Sequence, residues 1–507
     1  MSGESVNRYF FVFLGIIASI YHSSAASAAE KYWAYDYYNI SVTGVGSASR
    51  AVTIAHDLHR LDTAVFTITN QRSDATRTPT RVYLLSNEDF ALIRGAHDKF
   101  AVEYRPSAFA NDILVNIDGN ESDALFGAYF GYTGSVMSTY HYPSWYIHGL
   151  SEVFAASSIA RDTVTIGGFL PGRVQTLSAN TLFPMKVFLG LQNQDPELAS
   201  ASAKELYAAQ SWFLVHLILI EGQYHDNFMQ YFKRLSDGQD QREAFAASFT
   251  VGYDALDQML RSRLAKGAIA VIKVPVPDEH DANVPRKLSE AEAKGRLALL
   301  AERTNSETDG ALKLATDALA SDPQDEGALG AMVQMQVHHH EYAKALDMAR
   351  PLCERPTLSP EAMERCGDIY ASLYVGADKA HPLPLESAQL LERARGFYDR
   401  AVAANPEDLS AWYGMTELLA GAKDVAAAKE LLPRARHVWA THPTNEALAR
   451  SLAGLSAVSG DLDSALKFTQ VWERMALTDA GRAQAEAYEA RLRKLVQSQS
   501  LSADPPK

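Results

Sequence analysis

A chain of 507 residues points to two or more domains at about 150 residues each. Its apolar share of 47% and charged share of 21% are those of ordinary globular proteins with ample material for a core. The formal net charge of −14 argues against a nucleic-acid partner, because phosphate backbones reward basic surfaces; a specific protein partner stays open.

In chain order, Arg8 precedes an apolar run from Phe10 to Ile20, too short to span a bilayer. Ala26-Ser27-Ala28 fits a signal peptidase site, so residues 1–28 are expected to be a signal peptide and the mature chain to start at Ala29. An uncleaved anchor is the alternative. No cysteine lies near the cleavage point, which disfavours a lipoprotein. With no later membrane span expected, the protein is read as exported: periplasmic or secreted.

Aromatic residues from Tyr32 to Tyr38 and the alternating segment 39–45 predict a first strand. Ser47 is a candidate cap for a helix over 48–67, with Ile54, Leu58, Leu61 and Val65 on one side. His56 and His59 on it could approach one ion, but no third ligand is evident, and a half-exposed helical surface is the simpler reading. After a polar loop over 70–79, residues 81–85 and 112–117 predict two further strands, the second ending at Asp118-Gly119-Asn120.

Residues 124–156 predict a helix, a short connection and a second helix entered through Pro143. Gly127, Gly131 and Gly134 would each cost the first helix about 1 kcal/mol relative to Ala, so something bulky is expected to approach there. A strand over 163–166 and a helix over 205–219 follow. The latter carries Tyr207, Gln210-Ser211-Trp212 and His216, the last read as a core histidine.

Trp145, Gly149, Leu150, Glu152 and Phe154, with Tyr207 and Gln210-Ser211-Trp212, carry a resemblance. The segment resembles the zinc-site region of gluzincin metallopeptidases, in particular the peptidase-MA-like domains of secreted bacterial proteins. That family has H-E-x-x-H on the first helix and W-x-x-E-G-L-x-E-x-F on the second. The resemblance covers about Tyr32 to Lys266 and implies an α+β gluzincin-like metallopeptidase domain, here over 29–267.

The chemistry is missing from that frame. Phe130-Gly131-Tyr132-Thr133-Gly134 replaces H-E-x-x-H, and His148 replaces the third ligand, a Glu. Two His at i and i+4 project from one helix face toward a zinc ion, and the intervening Glu takes a proton from its water. Phe130 and Gly134 have no donor and Gly131 removes the base. The expectation is therefore a pseudo-peptidase with no catalytic residue, no zinc and no other cofactor, in which Glu152 bonds locally and His148 fills a hollow. The alternative is an active metal-dependent hydrolase with zinc on a rearranged set of His141, His148 and Glu152. The resemblance also puts strand 112–117 where a gluzincin pairs with substrate backbone. An open edge there would hold an extended peptide uncut; a covered strand is the simpler reading. No nucleophile elbow or phosphate-binding Gly loop is present.

Pro275, Pro277 and Pro285 mark a linker over 268–289. From 290 to 496 the chain is Ala- and Leu-rich, with recurring boundaries at Asp322-Pro323, Arg355-Pro356, Asn405-Pro406 and His442-Pro443. Ala411-Trp412-Tyr413-Gly414 and Gly460 to Leu466 resemble tetratricopeptide repeats (TPRs), whose period is near 34. Three to five helix pairs are expected to stack into an all-α solenoid with a concave face that binds a protein or peptide. The insert from His381 to Pro384 lengthens the period. His338-His339-His340 is read as an exposed turn. Cys353 and Cys366 would either form a disulfide worth about 3 kcal/mol or stay as two buried thiols. The polar tail over 497–507 is expected to be disordered. The whole reads as a binding or scaffolding factor of the cell envelope, its oligomeric state open.

Overall fold

The computed structural model describes residues 32–69, 79–94, 102–106, 110–118, 142–192, 195–267, 269–277, 283–304, 309–376, 383, 385–406, 408–442, 445–476 and 479–503. The expected signal peptide, the first helix of the 124–156 segment and the last four residues of the tail lie outside them.

Strands β1 (Tyr32–Tyr37) and β2 (Ile40–Val45) form an antiparallel hairpin in which Tyr37 pairs with Ile40. The aromatic run and the alternating segment are thus two strands, turned at Tyr38, which takes the left-handed conformation with φ 51°. Helix α1 (Ala48–Thr69) is capped by Ser47, whose Oγ accepts the N–H of Arg50 at 3.2 Å. It crosses over to β3 (Thr80–Leu85), parallel to β2. Helix α2 (Asn87–Arg94) leads to β4 (Val102–Pro106) and β5 (Asn111–Asn116). Strand β5 pairs with β3 on one side and β4 on the other. The strand predicted over 112–117 is therefore covered on both sides and offers no open edge to a peptide.

Next come α3 (Ser144–Ala155), β6 (Ser158–Ile159), β7 (Thr163–Ile166), α4 (Pro171–Ala179), α5 (Met185–Phe188), α6 (Ala201–Leu219), α7 (His225–Ser236), α8 (Gln241–Ser248) and α9 (Tyr253–Lys266). The Pro-rich segment expected as a linker contributes β8 (Ile272–Pro275) to a small sheet with β6 and β7. It also contributes β9 (Arg286–Lys287), which pairs with β1 at the end of the large sheet ordered β4-β5-β3-β2-β1-β9.

Side-chain alternation sends the large sheet's residues to two cores. Ile40, Val42, Val82, Leu84, Ile113 and Val115 face α1, α3 and α6. Tyr32, Val45, Leu85 and Leu114 face the other way, toward the first helices of the second half.

Those are α10 (Glu290–Thr304), α11 (Asp309–Ser321) and α12 (Glu326–His338), followed by α13 (Tyr342–Cys353), α14 (Pro360–Gly376), α15 (Ser387–Ala404), α16 (Leu409–Ala422), α17 (Val425–Thr441), α18 (Glu446–Ser459), α19 (Leu462–Met475) and α20 (Asp479–Ala503). The leading helices α10, α12, α14, α16 and α18 pack one on the next in a row, each also against its own partner helix. This is a TPR-like helical solenoid, and the described residues hold five pairs and the closing helix α20. Asp325, Asp408, Asp424, Asn445 and Asp461 cap five of its helices through side-chain oxygens. Cys353 at the end of α13 is bonded to Cys366 of α14, with Cα atoms 5.7 Å apart. No described helix is long and apolar enough to cross a membrane.

Candidate functional site

Pro143 starts α3, and the helix turns Trp145 and Tyr146 inward. The Trp145 ring is fully buried among Phe188, Phe228 and Phe232. Gly149, one turn on, lets α3 lie directly on the backbone of α6 at Ser211. Trp145 and Gly149 thus build a packed helix pair.

The two polar members of the pattern part company. His148 is exposed, not sunk in a hollow, and meets the edge of the Tyr207 ring with centroids 5.7 Å apart. Glu152 is gripped by Arg173 of α4, whose Nε donates to Oε2 at 3.0 Å and Nη2 to Oε1 at 2.5 Å. The same guanidinium reaches Glu205 of α6 through Nη1 at 2.5 Å. Burial opposes the charge on Arg173, yet the two carboxylates hold its pKa above the ordinary arginine value. A fork of this kind occupies both Glu152 oxygens. Phe130, Gly131, Tyr132, Thr133, Gly134 and His141 lie outside the described residues. Among the described residues, no three His, Cys, Asp or Glu side chains surround a common point. Nothing in the sequence marked Arg173, which stands 21 residues from its partner.

The other residues of the pattern hold the fold together. Gln210 forms an amide pair with Phe183, accepting its N–H at 2.9 Å and donating to its carbonyl at 2.8 Å. Buried His216 places Nε2 at 2.9 Å from the Ala270 carbonyl and 3.2 Å from that of Gly167, so Nε2 carries the proton. It fastens α6 to the chain leaving β7 and entering β8, and burial pulls its pKa below the ordinary histidine value.

Other histidines weighed in the sequence mostly make contacts within the protein. His56 sits 2.9 Å from the Tyr35 hydroxyl and stacks on Tyr37. His59, expected to be half exposed, is buried and stacks on Tyr38. His338 ends α12, and His339 and His340 form the turn after it, all three exposed. His338 faces Glu302 at 3.1 Å and His340 the Tyr342 hydroxyl at 2.7 Å.

A polar cluster that sequence reading missed lies between α14, α15 and α16 of the array. Asp368 of α14 accepts the Tyr398 hydroxyl proton at 2.7 Å. Glu364, one turn earlier, accepts from Ser410 of α16. Asp408 accepts the N–H groups of Ser410 at 3.1 Å and Ala411 at 3.3 Å. Burial, and then repulsion from Glu364, push Asp368 up to about 7 and Asp408 up to about 6. Arg81 of β3 is drawn to Tyr83, Asp112, Glu364 and Asp408, which outweigh its burial and raise its pKa. No local signal announces such a cluster, since its members come from β3, α14, α15 and α16.

No family model matches the sequence, and no curated protein is significantly similar. Among solved structures, the thermophilic TPR protein TTC0263 of Thermus thermophilus is 21% identical and covers 39% of this chain and 98% of its own, with a TM-score of 0.32. YrrB, a TPR protein with an unusual peptide-binding site, is 18% identical over 39% of this chain and 92% of its own at 0.28. Yeast Tom70 is 14% identical over 91% and 77% at 0.27. The solenoid assignment rests on the helix packing above rather than on likenesses of this size.

Proposed function

We propose that this is an exported, non-catalytic binding or scaffolding protein of the cell envelope. In this reading the gluzincin-like unit over 29–267 has lost its zinc chemistry, and the TPR-like array holds a protein or peptide partner. The observation that carries it is the array of five stacked helix pairs, an architecture of the kind repeat proteins use for binding. Two others support it. The Cys353–Cys366 bond suits an oxidising compartment. The Arg173 fork on Glu152 leaves the rearranged His141–His148–Glu152 zinc set, and with it an active hydrolase, without a free carboxylate.

Because the first helices of the array share a core with the sheet, the full mature chain is the reagent for the test. Pull-down from envelope extract is expected to retain a defined partner in stoichiometric amount; none retained overturns the scaffold reading. Purified protein is expected to hold far less than one zinc per chain, and stoichiometric zinc lost on His148→Ala would establish the hydrolase instead. Phe130→His, Gly131→Glu, Gly134→His and His148→Glu together are expected to restore zinc binding if the domain comparison holds. N-terminal sequencing of the envelope-derived chain is expected to begin at Ala29.

A further inference from the structure

The end of α6 carries a trio of titratable side chains, His216, Glu221 and Arg263. The first two are almost wholly withdrawn from solvent, with side-chain exposures of 0% and 7%. The His216 carbonyl accepts the N–H of Ile220 at 2.9 Å and of Glu221 at 3.3 Å, so the turn that closes α6 folds Glu221 back toward its own histidine. Nε2 of that histidine is committed as a donor to the Ala270 and Gly167 carbonyls. In the neutral ring this leaves Nδ1 as an acceptor. Among the described residues no donor reaches Nδ1, and it stands 4.0 Å from Oε1 of the Glu221 carboxylate. Two acceptors thus face each other inside the protein, one proton short of a hydrogen bond.

The other Glu221 oxygen, Oε2, accepts from Nη2 of Arg263 on α9. Arg263 keeps 26% of its side chain in solvent, and its Nε has no partner. Glu221 and Arg263 are the charged groups that face His216 among the described residues. From the β7 and β8 sides come the two carbonyls, and along α6 the Trp212 ring, with centroids 6.0 Å apart. Burial holds His216 below the ordinary histidine value of about 6.5, so any proton it takes up arrives on the acid side of neutrality.

We propose that the trio is an acid-operated partner exchange: a proton from solvent on His216 Nδ1 moves Glu221 from Arg263 to His216 and releases the last turns of α9 from α6. The charge count favours exchange over simple addition. With His216 neutral, Glu221 and Arg263 form one ion pair. A protonated His216 added to that pair would leave a positive charge uncompensated in the interior, which is strongly unfavourable. Arg263 is the member with a route to water. Its departure restores one anion and one cation, and Nδ1–H gains the charge-assisted bond that the neutral ring lacks. The turns set free lead through Gly267 toward β8, so acid loosens α9 where the chain returns to the small sheet.

Amide hydrogen exchange of the full chain, read by mass spectrometry and corrected for the intrinsic effect of pH, tests this. Peptides over 260–267 are expected to exchange about tenfold faster at pH 5 than at pH 7.5, the loss of one hydrogen bond between charged groups. Peptides from α3 and α7, which hold none of the trio, are expected to show no such step. His216→Gln keeps an N–H for the carbonyls but does not titrate, and is expected to exchange slowly over 260–267 at both pH values. Arg263→Gln is expected to be fast at both, matching wild type at pH 5. It alters a partly exposed side chain, so it decides the matter even where His216→Gln fails to fold. A wild-type rate over 260–267 that ignores pH, a step that survives in either variant, or an equal step in α3 and α7 would each overturn the proposal.

Discussion

A Cβ built on Gly149 would overlap the Ser211 carbonyl oxygen and Val215 Cγ2. Both obstacles belong to α6, and the first is backbone, which cannot rotate away. Gly149→Ala is therefore expected to push α3 off α6 and to lower stability by about 3 kcal/mol, the upper part of the usual range for overpacking. Urea denaturation checks this, and a wild-type midpoint would show that the two helices slide apart freely. Asp368 makes the second prediction at this scale. Its carboxyl titrates near 7 in the folded chain and near 3.9 when unfolded. Between those values the folded state holds a proton that the unfolded state has lost. Its contribution is thus complete below about pH 4 and lost as the pH rises through 7. Asp408, pushed to about 6, acts in the same direction. His216, held below the ordinary value by burial, acts oppositely: its contribution is present above about pH 6.5 and lost as the pH falls. Asp368→Asn, which still accepts from Tyr398, is expected to flatten stability between about pH 5 and pH 8 and to exceed wild type at the upper end. Denaturation at a series of pH values reads the slope, and parallel curves for the two chains would refute the assignment.

Among the elements, those with local signals were legible beforehand. Three of the Pro-marked boundaries sit two residues ahead of a cap: Pro323 before Asp325, Pro406 before Asp408 and Pro443 before Asn445. A helix start is written in a few neighbouring residues, so the repeats could be found. The β1–β2 hairpin looks like one strand in the sequence because its turn, Tyr38-Asn39, lacks the glycine that usually marks a tight hairpin. Strands β8 and β9 look like linker in the sequence because short Pro-bounded strands resemble loops until a partner strand is present. The disulfide joins α13 to α14 across a sequence separation of 13. Replacing Cys353 and Cys366 together by Ala is expected to cost about 3 kcal/mol. The loss should equal that of the wild-type chain under reducing denaturation, and a wild-type chain indifferent to reductant would count against a formed bond.

At the scale of the whole molecule, the sheet is covered on both faces, and one cover belongs to the array. Leu85, Phe90, Ile93 and Leu114 are buried against α10, α11 and α12, and Gly310 of α11 touches the backbone of α2 at Leu92. A chain ended at Ser289 would uncover these side chains, each worth about 1.5–3 kcal/mol of burial. Such a truncated chain is expected to bind a hydrophobic dye and aggregate. The full chain is expected to unfold its sheet and its first two helix pairs in one transition. A truncated chain as soluble and as cooperative as the full one would show that the two halves fold apart.

By itself the sequence determined the alternating strands, the caps and repeats of the array, and the lack of donor side chains at Phe130, Gly131 and Gly134. Each of these is a property of residues within a few positions of one another. Only the tertiary structure decided that Glu152 belongs to Arg173, that His148 is exposed, and that Leu85 and Leu114 of the sheet share a core with the first helices of the array. Such pairings depend on the path that brings distant segments together, and local patterns of polarity carry no record of that path.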